Sequence, residues 1–175
     1  MIVTIGGQVA SGKSTLAREL ARRLGYKHIS AGSVMRQMAA EKNTSLLEFS
    51  EYAETHPEVD KLIDERQKEL ASQGDCVVEG RISAYFIPAD YKVWLTCGLS
   101  ERVRRARGRG DSDADIKKAI LAREKSEQKR YKKFYDIDLS DTSIYDLVLD
   151  TTKIGIKEMV QKVEEKIRET KTKTS

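Results

Sequence analysis

The chain has 175 residues, of which 39% are hydrophobic and 34% are charged, and its formal net charge is +4. This length fits one domain with a central sheet and helices on both faces, and leaves little room for a second independent domain. The sequence has no apolar run long enough to cross a membrane, and its first residues already have the pattern of a strand. We therefore expect a cytoplasmic protein with no signal peptide and no membrane partner.

Short apolar runs alternate with longer helical patterns along the chain, which is typical of an α/β fold with parallel strands joined by crossover helices. Cys76 and Cys97 lie in strand-like stretches without metal-ligand spacing, which favours buried free thiols. The predicted strands lie near residues 2–5, 28–30, 76–79, 92–96 and 146–149.

The predicted helices are marked mainly by their ends. The first helix follows the first strand and stops at Gly25, a residue type suited to a helix C-terminus. A capping-box pattern at residues 45–48 starts a short helix, and Pro57 suits the first turn of the next one. A similar cap at Ser112 begins a long helix that ends near Tyr135. The last helix carries an apolar stripe of Ile156, Met159, Val160, Val163 and Ile167.

Residues 7–14 read GQVASGKS and lie between the first predicted strand and the first predicted helix. This pattern in this context indicates a phosphate-binding P-loop at the positive end of a helix dipole. The two loop glycines permit backbone angles that other residues resist. Lys13 adds a charge at the outer phosphates, and the Ser14 hydroxyl can hold Mg²⁺. The motif predicts binding of a nucleoside triphosphate through Gly7, Gln8, Val9, Ala10, Ser11, Gly12, Lys13, Ser14 and Thr15.

An arginine-rich segment precedes the long helix, with five arginines in residues 102–109 and glycines at positions 108 and 110. It is either a basic patch for nucleic acid or a hinged lid that closes over phosphates. No aromatic residue for base stacking interrupts the segment, which favours the lid and no nucleic-acid partner. We expect Arg107 and Arg109 to act in catalysis from this lid.

Residues at spacings of three and four lie on one face of the long helix: Ile116, Ile120, Arg123, Glu127, Arg130 and Phe134. This face begins apolar and is expected to point inward, where an unpaired cation costs roughly 3–5 kcal/mol. Arg123 and Arg130 then form a salt bridge with Glu124 or Glu127, or they bind a substrate phosphate as bidentate donors. A helix that is solvated after Ile120 is the remaining alternative.

Arg36 and Arg81 each follow a predicted strand, at the edge where ligands bind in a parallel sheet. Together with the P-loop they predict a convergent basic cleft with a second phosphate site. Glu79 ends a buried strand and could hold Mg²⁺ through water, although a cap or an ion pair with Arg81 fits nearly as well. A triphosphate donor and a phosphate-bearing acceptor indicate phosphoryl transfer, with Lys13 and the arginines of the lid and long helix neutralising charge.

On these residues the chain resembles the nucleoside monophosphate kinases, and most closely the short archaeal type of cytidylate kinase. The resemblance implies a three-layer P-loop kinase fold over residues 1–175, with a five-stranded parallel sheet and helices on both faces. It also implies a helical monophosphate-binding region at about residues 32–72 and a small lid at about 105–115. The matching stretches are residues 7–15, 29–36, 49–53, 56–60, 78–81, 123–126 and 130–131.

The resemblance further implies the reaction of ATP and CMP to ADP and CDP, with Mg²⁺ as cofactor and dCMP as a second acceptor. The implied partners are small-molecule nucleotides, and we expect a monomer. By position, the acceptor phosphate is gripped by Arg36 and Arg81, and the phosphoryl bridge is covered by Arg123 and Arg130. Ser30 and Gly32 belong to the same acceptor-binding stretch.

The chain departs from the bacterial cytidylate kinases in one position and one segment. Those enzymes have an Asp after their Gly-Arg that helps to recognise cytosine, and here that position is Ile82. Their acceptor-binding insert is also missing. We expect cytosine to be recognised instead by Asp60, Asp64 or Arg66.

Other functions stay open at this point. A related kinase would act on AMP, UMP or a small hydroxylated metabolite such as shikimate. A P-loop GTPase or motor ATPase is disfavoured, because the sequence lacks an Asp-x-x-Gly after a strand and an Asn-Lys-x-Asp. An RNA-binding protein would use the basic segments and show strongly salt-dependent binding without acceptor-dependent turnover.

Overall fold

The computed structural model describes residues 1–45, 48–49, 52, 55–108 and 112–174, with side chains described as far as residue 170. The strands are β1 Ile2–Gly7, β2 Lys27–Ser30, β3 Cys76–Glu79, β4 Tyr91–Thr96 and β5 Leu147–Asp150. They form one five-stranded sheet in the order β2-β3-β1-β4-β5. All five predicted strands are confirmed, with ends that differ from the predicted ends by one or two residues at most.

Seven helices have bounds within the described residues, and they alternate with the strands as the α/β pattern predicts. They are α1 Lys13–Leu24, α2 Ala31–Glu41, α3 Glu58–Ala71, α4 Ser83–Phe86, α5 Leu99–Ala106, α6 Asp113–Tyr135 and α7 Ile156–Thr174.

The predicted helix ends are present. α1 stops before Gly25, whose φ of 70° lies in the left-handed region that favours glycine. Ser45 N–H donates to Glu48 Oε2 at 2.8 Å and Glu48 N–H donates to Ser45 Oγ at 3.2 Å, which completes the predicted capping box. Pro57 is the N-cap of α3, one residue before the first turn in which it was expected. Ser112 caps α6 through its side chain.

One compact unit comprises residues 1–6 and 17–92. Within it β3 pairs in parallel with both β1 and β2, and Ser30 at the end of β2 lies opposite Glu79 at the end of β3. These two residues therefore lie at the carboxyl edge of their strands, where α/β proteins bind ligands. The core of this unit includes Ile29, Val34, Phe49, Val59, Ile63, Val78 and Ile87.

The other compact unit comprises residues 7–16 and 93–175. In it β4 and β5 pair in parallel, with Thr96 opposite Asp150. A small apolar cluster packs Val9 of the P-loop against Val103 of α5 and against α6. The predicted stripe of α7 is confirmed, because Met159, Val160, Val163 and Ile167 are buried. A single domain over residues 1–175 stays a prediction.

Cys76 and Cys97 are buried free thiols, as predicted. Burial raises the pKa of the Cys76 thiol, which keeps it in the unreactive protonated form. None of the helices in the described part of the chain is both long enough and apolar enough to span a membrane.

Candidate functional site

The P-loop has the backbone geometry that its sequence predicts. β1 ends at Gly7 and α1 begins at Lys13, so the loop connects a strand to a helix N-terminus. Gly7 has a φ of 145° and Gly12 has a φ of 100°. At Gly7 a side chain is also excluded by space, because a Cβ there would lie 2.5 Å from the backbone oxygen of Leu95. At Gly12 the nearest atoms would be 3.6 Å away, so the backbone angle alone requires glycine.

Ala10 has a φ of 59°, a left-handed backbone conformation that the sequence did not predict. A non-glycine residue in a sparsely populated region costs of the order of 1–3 kcal/mol and persists only where its surroundings hold it. Such strain is common at ligand-binding loops. The P-loop is therefore held in a conformation that it would not adopt alone.

Gln8 fixes the start of the loop to β4. Its backbone N–H donates to the Leu95 carbonyl at 3.0 Å, and its side-chain oxygen accepts from Cys97 N–H at 2.8 Å. Its own carbonyl accepts from Lys13 Nζ at 2.8 Å. The ammonium group of Lys13 is thus held within the loop by a residue that is itself anchored to the sheet.

Arg102 and Glu124 form a pair against the middle of the loop. Arg102 Nη1 lies 2.5 Å from Glu124 Oε1, and the Arg102 side chain is only 6% exposed. Glu124 Oε1 accepts from Val9 N–H at 3.2 Å, and Arg102 Nη1 donates to the Val9 carbonyl at 3.4 Å. From the sequence, Glu124 was predicted only as a partner for the arginines of the long helix, and Arg102 had no predicted role of its own.

Arg105 holds the loop two residues further on, at Ser11. Its Nη1 donates to the Ser11 carbonyl at 3.1 Å and to Thr151 Oγ1 at 3.0 Å, and Thr151 Oγ1 also donates to the Ser11 carbonyl at 2.9 Å.

Glu101 pairs with Arg105 at 2.8 Å and with Arg104 at 2.7 Å. Hydrogen bonds from Arg104 and then Arg105 lower the pKa of the Glu101 carboxyl to about 2. Thr151 carried no recognisable signal in the sequence.

A cavity of about 460 Å³ lies beside the P-loop in the same unit. It extends from Gly12 and Thr15 to Arg104 and Arg105 on one side and to the segment 152–156 after β5 on another. Apolar atoms of Met159 and guanidinium planes together suit a flat aromatic ring. The cavity is large enough for a nucleoside whose phosphates reach the loop.

The predicted lid is described in part. Arg107 follows α5 and forms a bidentate ion pair with Asp113, the first residue of α6, at 2.8 Å. Arg109 lies outside the described residues, as do positions 110 and 111. A lid at 105–115 with roles for Arg107 and Arg109 stays a prediction.

The face of α6 that was expected to point inward departs from that expectation. Ile116, Ile120, Glu127 and Tyr131 are buried, whereas Phe134 is 50% exposed. The side chain of Arg123 is 65% exposed and pairs with Glu127 at 2.9 Å, which matches the salt-bridge alternative. On a turn of 3.6 residues Arg123 falls about 20° behind Ile116, whereas Ile120, Glu127 and Tyr131 fall ahead of it, so the buried face lies to one side of the predicted one. Phe134 lies about five full turns after Ile116 and shares its direction, and it is exposed in the last turn of α6, which ends at Tyr135.

Arg130 is partly buried in α6, and its guanidinium carbon lies 5.2 Å from the ring centroid of Tyr131. This distance fits a cation–π contact with the neighbouring aromatic ring. A catalytic role for Arg123 and Arg130 stays a prediction.

The acceptor residues predicted in the other unit cluster around β2, β3 and the helices that follow them. Ser30 caps α2, since its side chain accepts from Ser33 N–H at 3.0 Å. Gly32 lies beside the Arg36 guanidinium, since a Cβ there would be 3.7 Å from Arg36 Nη1, an ordinary van der Waals distance. Arg81 lies two residues after β3 and is partly buried.

Glu79 and Arg66, two of the site residues predicted from the sequence, each lie close to ionisable side chains of the unit formed by residues 1–6 and 17–92. Glu79 Oε2 lies 3.7 Å from His28 Nε2, and the Glu79 backbone carbonyl accepts from the buried Gln67 Nε2 at 3.0 Å. Arg66 pairs with Glu41 at 3.2 Å and with Glu69 at 3.5 Å. Arg66 is thus already engaged by carboxylates.

The residues expected to recognise cytosine differ in their positions. Asp60 and Asp64 are one helical turn apart on α3, and both are partly buried. Ile82 is 3% exposed, so the position that carries an Asp in bacterial cytidylate kinases is part of the apolar core here. Recognition of cytosine by Asp60, Asp64 or Arg66 stays a prediction.

The cytidylate kinase-like family model matches residues 2–153 of this chain. A cytidylate kinase of Methanosphaera stadtmanae is 45% identical over 162 residues, covering 91% of this chain and 94% of that protein. A cytidylate kinase of Methanocaldococcus jannaschii is 45% identical over 159 residues, covering 87% of this chain and 89% of that protein. A solved shikimate kinase from Bacteroides thetaiotaomicron matches with a TM-score of 0.63 at 17% identity, covering 96% of this chain and 98% of that chain. At that identity the match shows the fold alone, and the predicted P-loop kinase fold is confirmed.

Proposed function

The chain belongs to the cytidylate kinase-like family, and we propose that it transfers the γ-phosphoryl group of ATP to CMP, giving ADP and CDP. dCMP is the proposed second acceptor, and the protein acts on these free nucleotides as a monomer. The observation that carries the proposal is the P-loop, in which Gly7, Ala10 and Gly12 adopt positive φ values immediately before the N-terminus of α1.

ATP is proposed to bind with its phosphates on the P-loop and its base in the 460 Å³ cavity. The amides of residues 10–15 and the N-terminus of α1 provide hydrogen-bond donors and a positive dipole end for the phosphates. Lys13 Nζ, which donates to the Gln8 carbonyl, would turn from it to the outer phosphates. Arg104 and Arg105 flank the cavity and supply planar cations against which the adenine ring can stack.

Mg²⁺ is the proposed cofactor, and the donor set suits it. Ser14, in the first turn of α1, offers a hydroxyl oxygen next to Lys13, and Glu79 is the proposed carboxylate that contacts the ion through water. A small hard cation of this kind usually takes one or two protein oxygens and completes its shell with substrate phosphates and water. When bound, Mg²⁺ would neutralise the charge that develops on the phosphates during transfer, with Ser14 and Glu79 as the residues that would hold it.

CMP is proposed to bind with its phosphate on Arg36 and Arg81 and its base near Asp60 and Asp64. The cap at Ser30 fixes the start of α2, and the Arg36 guanidinium lies beside Gly32 in the first turn of that helix. Guanidinium groups match phosphate oxygens in a bidentate manner. A carboxylate can accept from the N4 amine of cytosine, which a uracil ring lacks.

Transfer itself requires little covalent chemistry from the protein. An oxygen of the CMP phosphate bonds to the γ-phosphorus, the bond from that phosphorus to the β–γ bridging oxygen breaks, and ADP keeps the electron pair. The attacking oxygen is already ionised, so no dedicated base is needed. The protein's contribution is positioning and charge neutralisation. The residues proposed for this are Lys13, Arg107, Arg109, Arg123 and Arg130.

The proposal is tested by supplying Mg-ATP with CMP, dCMP, UMP or AMP in turn and following ADP formation in a coupled assay. We expect CMP and dCMP to raise the rate far above the hydrolysis seen without acceptor. If AMP gives the largest stimulation, the acceptor assignment is wrong. If no monophosphate stimulates ADP release, the kinase proposal itself is wrong.

A further inference from the structure

Both backbone polar groups of Val9 are held by one ion pair. Glu124 Oε1 accepts from Val9 N–H at 3.2 Å, Arg102 Nη1 donates to the Val9 carbonyl at 3.4 Å, and the two side chains lie 2.5 Å apart. Arg102 belongs to α5 and Glu124 to α6, the helices on either side of the predicted lid. The same pair thus connects Val9, in the middle of the P-loop, to the two helices that flank the predicted lid.

A second guanidinium extends this support along the loop. Arg105 Nη1 donates to the Ser11 carbonyl at 3.1 Å, and Thr151 Oγ1 donates to the same oxygen at 2.9 Å. Arg102 and Arg105 are three residues apart on α5 and so project from the same face of that helix. Two alternate carbonyls of the loop, those of Val9 and Ser11, are therefore drawn toward α5.

The orientation of these carbonyls fixes the orientation of the next amides. A trans peptide unit is planar, with its C=O and N–H pointing in opposite directions, and no described peptide bond is cis. Since the Val9 carbonyl faces Arg102, the N–H of Ala10 faces away from α5. The N–H of Gly12 is turned away in the same manner, because the Ser11 carbonyl faces Arg105. Both N–H groups are then presented on the side that is left for an anion.

The strained residue lies between the two held carbonyls. Ala10, with a φ of 59°, is flanked by the peptide that Arg102 holds and the residue whose carbonyl Arg105 holds. A left-handed alanine persists only where its neighbours over-determine it. The contacts of Val9 and Ser11 supply that determination.

We infer that Arg102 and Glu124 are positioning residues for the phosphates of the donor nucleotide: by holding Val9 they keep the loop amides turned toward the phosphates. The inference rests on the proposed function only in requiring that the P-loop binds ATP and ADP. It does not depend on which acceptor receives the phosphoryl group.

The test is the dissociation constant of ADP, measured by calorimetry without acceptor. Replacing a carboxylate beside an anion site by a neutral group should strengthen anion binding if charge alone matters. Glu124→Ala instead removes the acceptor of Val9 N–H and frees Arg102, so we expect ADP binding to weaken about tenfold or more. Glu124→Gln keeps an oxygen at this position, and we expect it to recover most of that loss. Glu19→Ala, at an exposed ion pair with Arg22 on α1, is the matched control and should bind ADP as the wild type does.

A folded Glu124→Ala variant that binds ADP as tightly as the wild type, or more tightly, overturns the inference. If Glu124→Ala does not fold, Arg102→Lys is measured instead. This variant keeps the charge but loses the planar guanidinium that contacts both Glu124 and the Val9 carbonyl. An unchanged dissociation constant for ADP in Arg102→Lys overturns the inference equally. A wild type that binds ADP but shows no CMP-dependent turnover would contradict the proposed function and leave this inference standing.

Discussion

Lys13 and Gln8 are joined by a hydrogen bond inside the P-loop, from Lys13 Nζ to the Gln8 carbonyl at 2.8 Å. Gln8 is in turn bonded through its backbone and its side chain to Leu95 and Cys97 at the end of β4. The ammonium group of Lys13, which we propose acts in catalysis, is therefore already at the loop before any phosphate arrives. A cation placed there in advance needs little rearrangement to stabilise the transition state.

Lys13→Ala should reduce kcat for phosphoryl transfer by about 100-fold or more, the usual loss when one preorganised donor is removed. The thermal unfolding temperature should change much less than the rate, since Lys13 is partly exposed in the first turn of α1 and loses one hydrogen bond. The matched control is Lys162→Ala, which removes a lysine from an exposed ion pair with Glu158 on α7. Steady-state rates and thermal melts measure both expectations. Equal rates for Lys13→Ala and the control would contradict the role given to Lys13.

Gly7→Ala should destabilise the protein strongly, because a Cβ at Gly7 would lie 2.5 Å from the Leu95 oxygen and 2.8 Å from its Cβ. Gly74→Ala is a close control: Gly74 has a φ of 143°, nearly that of Gly7 at 145°, but no atom would meet its Cβ within 4 Å. Both substitutions carry the backbone strain, and only Gly7→Ala carries the clash. We expect the free energy of unfolding, from urea titration, to fall further for Gly7→Ala by about 2 kcal/mol or more. Equal losses would show that the loop relaxes.

Glu101 should stabilise the fold in a pH-dependent way. Its pKa is lowered to about 2 in the folded protein, first by the hydrogen bond from Arg104 and then by that from Arg105, against an ordinary value of 4.5. A lowered folded-state pKa gives stability that is present above pH 4.5 and is lost as the pH falls towards 2. The melting temperature of the wild type should therefore be higher than that of Glu101→Gln at pH 7. The difference between the two melting temperatures should shrink as the pH is lowered. A difference that is constant with pH would refute this.

Asp64→Ala should raise KM for CMP by about tenfold or more while KM for ATP stays nearly constant, because a base-specific hydrogen bond contributes about 1–3 kcal/mol. Asp60→Ala is tested in the same way, since the two carboxylates share one side of α3. Glu65→Ala removes a neighbouring exposed carboxylate of α3 and is the control. Equal effects of Asp64→Ala on the two KM values would remove Asp64 from base recognition.

The parts of the fold with strong local signals were predictable from the sequence. The strand–loop–helix at residues 1–24, the capping box at Ser45 and the cap at Ser112 each depend on neighbouring residues, and each is present in the structure. The inward face of α6 was predicted less well. A pattern of threes and fours does not reveal which side of the stripe is packed or how far along the helix the packing continues, so the exposure of Arg123 and Phe134 could not be predicted from spacing.

The support around the P-loop was beyond sequence analysis for a different reason. Arg102, Arg105, Glu124 and Thr151 contact Val9 and Ser11 across 93 or more residues of chain, and 115 residues separate Val9 from Glu124. A single sequence carries no signal for pairing at such separation. The positive φ of Ala10 was hidden for a related reason, because alanine has no intrinsic preference for that conformation and adopts it under constraint from its neighbours.

The most direct test of phosphoryl transfer to CMP is to incubate the wild-type protein with CMP and Mg-ATP labelled at the γ-phosphate and to separate the nucleotides. We expect the label to move into CDP in step with ADP formation, and to do so about 100-fold or more slowly in Lys13→Ala. Label that appears only as inorganic phosphate, at a rate independent of CMP, would contradict it.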